Sequence, residues 1–253
     1  MHILQKIKEK SKAGFKQLAV LADPDKSTDQ SLKELTVLAE TAGAEYVFIG
    51  GSLLTRDNMA HCIDNIKSNS ELPVIIFPGS VYQLCPRADA LLFLSLISGS
   101  NPDMLIGNQV VAASLIRSSG LEVIPTGYIL IDGGQISSVQ YMSNTMPIPG
   151  DKTEIAVATA IAGEMLGLQV IFMDAGSGAA NPVPLPMISS VRKNIKLPLV
   201  IGGGISSPEM AYEAWNAGAD IVIIGNAAES YPEVIIEMGL AKKEVNGRFR
   251  KEF

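Results

Sequence analysis

The chain has 253 residues, 47% of them apolar, and a formal net charge of −6. That length suits one α/β barrel with a large core, and the acidic balance argues against nucleic acid as a partner, because phosphate backbones select basic surfaces. Two cysteines (Cys62 and Cys85) and two histidines (His2 and His61) are too few for a disulfide framework, a zinc site or a Ser-His-Asp triad.

The charged N-terminus, MHILQKIKEKSKAGFKQ, lacks the apolar stretch of a secretory signal. The longest apolar runs are strand-length and interrupted by Gly, Pro or Asp, so no transmembrane helix is expected, and the expected compartment is the cytoplasm. His61 follows an apparent helix start at Arg56-Asp57-Asn58 and reads as a solvent-facing residue. Chemistry must then come from carboxylates, hydroxyls, backbone groups and, where needed, a hard cation.

In chain order, residues 1–14 read as an amphipathic starter helix ending at Gly14. Residues 18–22 form the first predicted strand, which runs into Asp23-Pro24-Asp25-Lys26. Residues 32–42 have helical spacing and stop at Gly43. The second strand, 46–49, is followed by Gly50-Gly51-Ser52, and a helix is predicted over 57–67. The third strand, 73–77, ends in Pro78-Gly79-Ser80. The fourth, 90–94, runs into Ser95 and then Ser98-Gly99-Ser100. Residues 102–117 read as a helix closed by Gly120.

Residues 122–131 cover a fifth strand, broken by Pro125-Thr126-Gly127. Residues 133–150 are a long polar loop with prolines, an insertion able to serve as a lid. A helix over 152–166 ends at Gly167, and the sixth strand, 170–174, runs into Ala175-Gly176-Ser177-Gly178. A helix over 184–193 precedes the seventh and eighth strands, 199–201 and 221–224. The tail from Ala227 holds a last helix and then a charged stretch, 242–253.

The stretch 200–226 carries the clearest signal. Two apolar runs end in Gly202-Gly203-Gly204 and Gly225-Asn226. Between them Ser206-Ser207-Pro208 suits a helix start and Gly218 a helix exit. Glycine at strand ends lets backbone N–H groups approach an anion closely. Loops after the last two strands are the usual phosphate site of a (β/α)8 barrel. Eight apolar runs, most followed by helical periodicity, predict one such TIM-type barrel domain over 1–253. A doubly wound sheet is disfavoured, since no G-x-G-x-x-G follows the first strand.

In a barrel the strand C-termini converge on one site. Here they carry Asp23 and Asp25, Ser52, Ser80, Ser98, Tyr128, Asp174, Ser177, the Gly202 triplet and Gly225-Asn226. The set is rich in oxygen and has no histidine. An anionic ligand near Asp23 calls for a cation, and Mg²⁺ takes such oxygen ligands. A helix-capping turn is the simpler account of Asp23-Pro24-Asp25, and Asp174 could likewise cap its own turn. As a carboxylate ending an apolar strand, Asp174 also suits a base or a hydrogen-bond acceptor for a substrate hydroxyl. Phe77, Leu94, Leu96, Ile97, Met104 and Ile106 are candidates for an apolar groove, with ordinary packing as the plainer reading. Trp215 is read as packing rather than as an interface residue.

The motifs from Asp23 to Lys26, Phe48 to Ser52, Phe77 to Ser80, Gly127-Tyr128, Met173 to Gly178, Ile201 to Ile205 and Ile224 to Asn226 resemble geranylgeranylglyceryl phosphate synthases. They span nearly the whole chain in the family's order. The resemblance implies a Mg²⁺-dependent prenyltransferase. It would join the C3 hydroxyl of sn-glycerol 1-phosphate to a polyprenyl diphosphate, geranylgeranyl or, as in a bacterial branch, heptaprenyl. It assigns Asp23 and Ser52 to Mg²⁺. It assigns residues Phe172, Met173, Asp174, Ala175, Gly176, Ser177, Gly178, Gly203, Gly204, Gly225 and Asn226 to glycerol phosphate, and places Asp174 and Tyr128 at the reacting hydroxyl. The family commonly has Glu where this chain has Asp174, a reach shorter by one methylene. It further implies a homo-oligomer, dimer or hexamer, and a lipid-like product suggests transient contact with a membrane surface, although the sequence offers no anchor.

Two other readings use the same loops. A phosphosugar isomerase or lyase would share the phosphate clamp, and a non-catalytic phosphate-binding barrel would have little use for the site-facing carboxylates.

Overall fold

The computed structural model describes residues 2 to 249; the last four residues of the predicted charged tail lie outside the described residues. Eight parallel strands close into a barrel in sequence order. They are β1 (Gln17–Ala22), β2 (Tyr46–Ile49), β3 (Val74–Ile76), β4 (Ala90–Leu96), β5 (Glu122–Leu130), β6 (Val170–Asp174), β7 (Leu199–Gly202) and β8 (Ile221–Ile224). β8 returns to β1 with Gln17 beside Ile221 and Val20 beside Ile224. The helices are α1 (Ile3–Lys12), α2 (Asp29–Thr41), α3 (Met59–Asn69), α4 (Asn108–Ser119), α5 (Ser138–Ser143), α6 (Thr153–Met165), α7 (Leu185–Asn194), α8 (Pro208–Ala217), α9 (Asn226–Ser230) and α10 (Val234–Phe249).

Alternation along each strand divides the core in two. Ala19, Tyr46, Phe48, Ile75, Leu92, Ile124, Phe172, Val200 and Ile223 point inward and fill the barrel. Leu18, Val20, Val47, Ile49, Ile171, Met173, Ile201 and Val222 point outward against the helices. Ile3 and Ile7 of α1 join the inner cluster. The free N–H groups of Ile3 and Leu4 donate to the Glu122 carboxylate at 2.7 and 2.8 Å, which satisfies the start of α1 and fixes it over the base of the barrel.

Three departures from the sequence reading have physical causes. β5 is not broken at Pro125-Thr126-Gly127; it pairs with β4 without interruption from Glu122 to Tyr128. Pro125 removes one donor but its carbonyl still accepts from Gln169 N at 2.8 Å. Gly127 sits where a Cβ would meet methyl groups of Leu168, Ile97 and Ile171 within 3.0 Å, so it marks crowding and not a strand end. Residues 103–107 form a turn of π-helix before α4, where one straight helix was predicted. At the C-terminus the last helix does not stop before Lys242. α10 runs on through it, and the Lys242 ammonium is buried on the Glu45 carboxylate at 2.9 Å. No helix separates β3 from β4. Among the described residues no helix is long and apolar enough to cross a membrane.

Candidate active site

The C-terminal ends of β5, β6 and β7 stand side by side, with Tyr128 level with Phe172, and Leu130 with Asp174, which is itself level with Gly202. Period-2 alternation turns Tyr128, Phe172 and Asp174 into the barrel. The Tyr128 hydroxyl donates to Asp174 Oδ2 at 2.5 Å, and Gly176 N donates to Oδ1 at 2.8 Å. Asp174 is only 7% exposed. Burial pushes its carboxyl above the ordinary aspartate value, against the two hydrogen bonds, which favour the charged form. Burial, then the nearby Asp174 charge, pushes the Tyr128 phenol well up, so it stays protonated and acts as a donor. Phe77, Tyr128 and Phe172 form an aromatic cluster with ring centroids 5.1 to 5.8 Å apart, so the Tyr128 ring packs against both phenylalanines.

The glycine loops lie over the carboxylate. Gly203, at φ +74°, would place a Cβ 2.5 Å from Asp174 Oδ1 and 2.6 Å from Gly176 N, so only glycine fits without moving the carboxylate. The loop after β6 meets the loop after β8 through Ser177, whose hydroxyl donates to Asn226 Oδ1 at 3.0 Å. Gly225 precedes the short helix α9 and Asn226 begins it. The strand ends therefore bring together the backbone of Gly176, Ser177 and Gly178, of Gly203 and Gly204, and of Gly225 and Asn226, beside one buried carboxylate–phenol pair.

A family model described as the PcrB family matches residues 9–242. The chain belongs to the PcrB family. Geranylgeranylglyceryl phosphate synthase of Chitinophaga pinensis is 49% identical over 225 residues, 89% of each chain. Its counterpart in Spirosoma linguale is 46% identical over 234 residues, 92% of this chain and 94% of that one. The crystal structure of (S)-3-O-geranylgeranylglyceryl phosphate synthase from Thermoplasma acidophilum, in complex with its substrate sn-glycerol-1-phosphate, superimposes with a TM-score of 0.91 at 31% identity, covering 96% of this chain and 99% of that one. The resemblance read from the motifs is thus borne out at the level of family and barrel.

The other strand-end residues of this PcrB-family chain separate into distinct jobs. Asp23 Oδ1 accepts from Asp25 N at 3.0 Å, while Oδ2 faces Lys26 Nζ at 3.3 Å. Asp25 takes the capping role: its carboxylate holds Thr55 N at 2.6 Å, Thr55 Oγ1 at 2.9 Å and Arg56 N at 3.2 Å. These bonds, led by that from the Thr55 backbone, hold the Asp25 carboxyl below its usual value. Ser52 follows Gly51, at which a Cβ would lie 3.5 Å from Asp23 Oδ1, so its loop borders the Asp23 carboxylate. Ser98 is structural, its hydroxyl accepting from Leu130 N at 2.9 Å. Ser80 is exposed. Of the residues that the resemblance assigned to glycerol phosphate, Met173 and Ala175 turn their side chains outward into the helix-facing core and leave only backbone at the rim.

The groove candidates divide likewise. Phe77, Leu94 and Met104 are partly buried against the inner cluster, and Leu96 is buried within it. Ile97 faces α6, lining a cavity of about 620 Å³ with Leu105, Ile155, Ala158 and Leu166. Ile106 is 61% exposed. The predicted lid, 133–150, carries α5 and is tethered. Gln135 Nε2 donates to Gly178 O, Asn101 Nδ2 donates to Ser143 O at 2.7 Å, and Val139 packs on the inner cluster. His61 is exposed, as expected, and its Nε2 lies 2.6 Å from Asp29 Oδ1.

Sequence reasoning missed Gln83 and Glu229. Gln83 accepts from Gly79 N at 3.1 Å and donates to Gly51 O at 2.7 Å, stapling the β3–β4 loop to the loop that holds Ser52. Glu229 pairs with Lys26 at 3.4 Å. Neither sits in a motif; only the three-dimensional approach of separate loops reveals them.

Proposed function

We propose that this protein is a prenyltransferase that joins the C3 hydroxyl of sn-glycerol 1-phosphate to the allylic carbon of geranylgeranyl diphosphate, releasing pyrophosphate. The observation that carries the reading is the buried Tyr128–Asp174 pair set against the glycine loops of β6, β7 and β8. Membership of the PcrB family supports it. Backbone N–H groups of Gly176–Gly178, Gly203–Gly204 and Gly225–Asn226 would hold the phosphate. The glycerol would then reach down towards Asp174.

In the reaction a C–O bond forms between the glycerol C3 oxygen and C1 of the donor. The C1–O bond to the diphosphate breaks, and its electron pair leaves with pyrophosphate. Asp174 accepts the hydroxyl proton, and Tyr128 fixes the carboxylate through Oδ2. A carboxylate whose pKa is raised by burial is a stronger base than one in water. Positioning matters as much as basicity, because the electron-poor allylic carbon reacts with whatever oxygen lies nearest. Phe77, Leu94 and Met104 offer apolar surface for the start of the prenyl tail.

Mg²⁺ fits the residues present. Asp23 Oδ2 already faces a cationic group, the Lys26 ammonium, and the Ser52 loop borders the same carboxylate. Among the described residues no group of three or more His, Cys, Asp or Glu is arranged to hold a metal. A sparse protein ligand set suits Mg²⁺, which keeps waters and takes substrate phosphates as ligands. Asp23 and Ser52 would hold the ion, which would neutralise charge on the departing diphosphate.

The test is ether formation from sn-glycerol 1-phosphate and Mg²⁺ with geranylgeranyl or heptaprenyl diphosphate as donor. Preference for geranylgeranyl diphosphate is the expected result. Preference for the longer donor would move the protein to that branch with the same catalytic residues, and no product from either would defeat the proposal. Asp23→Asn keeps an oxygen for Asp25 N, so the variant should fold, yet lose turnover by about a hundredfold or more. Near-normal activity in Mg²⁺ would remove Asp23 from the metal site.

A further inference from the structure

The Lys26 side chain bridges the β1–α2 turn and helix α9. Lys26 Nζ lies 3.3 Å from Asp23 Oδ2 and 3.4 Å from Glu229 Oε2. Asp23 Oδ1 is engaged by Asp25 N, so Oδ2 is the oxygen that a cation would take, and the Lys26 ammonium now stands at it. Two cations cannot share one carboxylate oxygen at close range without strong repulsion. Glu229 offers Lys26 a second partner without any large movement of the lysine stem.

We propose that Lys26 is a resident counter-ion that competes with the divalent cation for Asp23 Oδ2, and that Glu229 is the positioning residue that receives Lys26 when the metal arrives. The inference rests on the metal reading of Asp23 given above. The arrangement keeps Asp23 neutralised when no metal is bound. It retains the lysine charge nearby, held by Glu229, when the metal and a diphosphate occupy the site. It also ties the two halves of the site together. Glu229 lies on the helix that Asn226 begins, where Glu229 N donates to Gly225 O at 3.1 Å, so the residue that receives Lys26 is anchored to the β8 phosphate loop.

The experiment is a titration with Mn²⁺ alone, followed by water-proton relaxation enhancement in the full chain and needing no turnover. Lys26→Gln removes the competitor, and the dissociation constant for Mn²⁺ should fall by about two- to fivefold, the scale of one half-exposed ion pair. Glu229→Gln leaves Lys26 on Asp23 alone, and the constant should rise by a similar factor. In the double variant the Glu229→Gln effect should vanish, because no lysine remains to be received. A misfolded protein would not bind the ion more tightly, so the Lys26→Gln result does not depend on unaltered stability. Unchanged or weaker binding in Lys26→Gln would overturn the competition. A Glu229→Gln effect that persists in the double variant would show a direct field on the metal and overturn the receiving role. Parent protein that binds no Mn²⁺ would defeat the metal reading itself, and the inference with it.

Discussion

Asp174 meets two opposed demands at one residue. It is buried, which penalises its charge, and as the proposed base it would have to be charged. Its pKa in the folded protein lies above the unfolded value of about 4. Between those two values the folded state binds more protons than the unfolded one, so this group's contribution to stability is greatest below the unfolded value and declines as pH rises through the folded one. Asp174→Asn remains neutral at every pH. Its carbonyl can still accept from Gly176 N, and its amide can donate to a rotated Tyr128 hydroxyl. The variant should therefore unfold at a higher temperature than the parent at neutral pH and show a flatter pH–stability profile, while its turnover falls by about 10²–10⁴-fold. A lower melting temperature at neutral pH would show that the carboxylate stabilises the fold instead. In the parent, activity should climb with pH through a value above that of an ordinary aspartate, and a profile with no such rise would exclude Asp174 as the base.

At the scale of elements, β5 shows what crowding does to a strand. Gly127 is walled in by Leu168, Ile97 and Ile171. Gly127→Val should destabilise the protein by about 1–3 kcal/mol through overpacking, read as a lower denaturant midpoint with the circular dichroism of the barrel retained. An unchanged midpoint would mean that the Leu168, Ile97 and Ile171 side chains yield freely. The same strand shows where reading a sequence stops. Tyr46–Ile49 and Val170–Asp174 were legible to the residue, because a buried parallel strand is a short β-branched run with glycine beyond it. Pro125-Thr126-Gly127 reads locally as a break, and only the surroundings of Gly127 explain why the strand passes through it. Asp174, Tyr128 and the glycine loops were legible because strand ends converge in a barrel. Glu229 and Gln83 were not, since their roles depend on which loops meet above the strands, and periodicity carries no information about that.

For the molecule as a whole, closure of the barrel is the cooperative event, since β1 can complete its pairing only when β8 arrives. Trp215 of α8 reinforces that seam. Its side chain is fully buried, and its Nε1 donates to Gln17 O at 3.1 Å, a contact 198 residues apart in sequence. Trp215 is therefore packing within the chain, as its sequence context suggested. Trp215→Ala should cost about 3–5 kcal/mol, measurable as a large fall in the denaturation midpoint. A change much smaller than that would mean that the seam is held elsewhere, for example by the Lys16 ammonium on Ala219 O at 2.8 Å.

The helix α1 seated on Glu122 gives the barrel a floor, which makes it a flask with a single neck. Acceptor, donor, pyrophosphate and product would all pass the same rim, beneath the tethered segment that carries α5. The proton that Asp174 would remove would also have to leave towards the rim, because the Phe77 and Phe172 rings pack around Tyr128 and the filling of the barrel below is largely apolar. Traffic through that neck, as much as bond-making, would then set the pace of turnover.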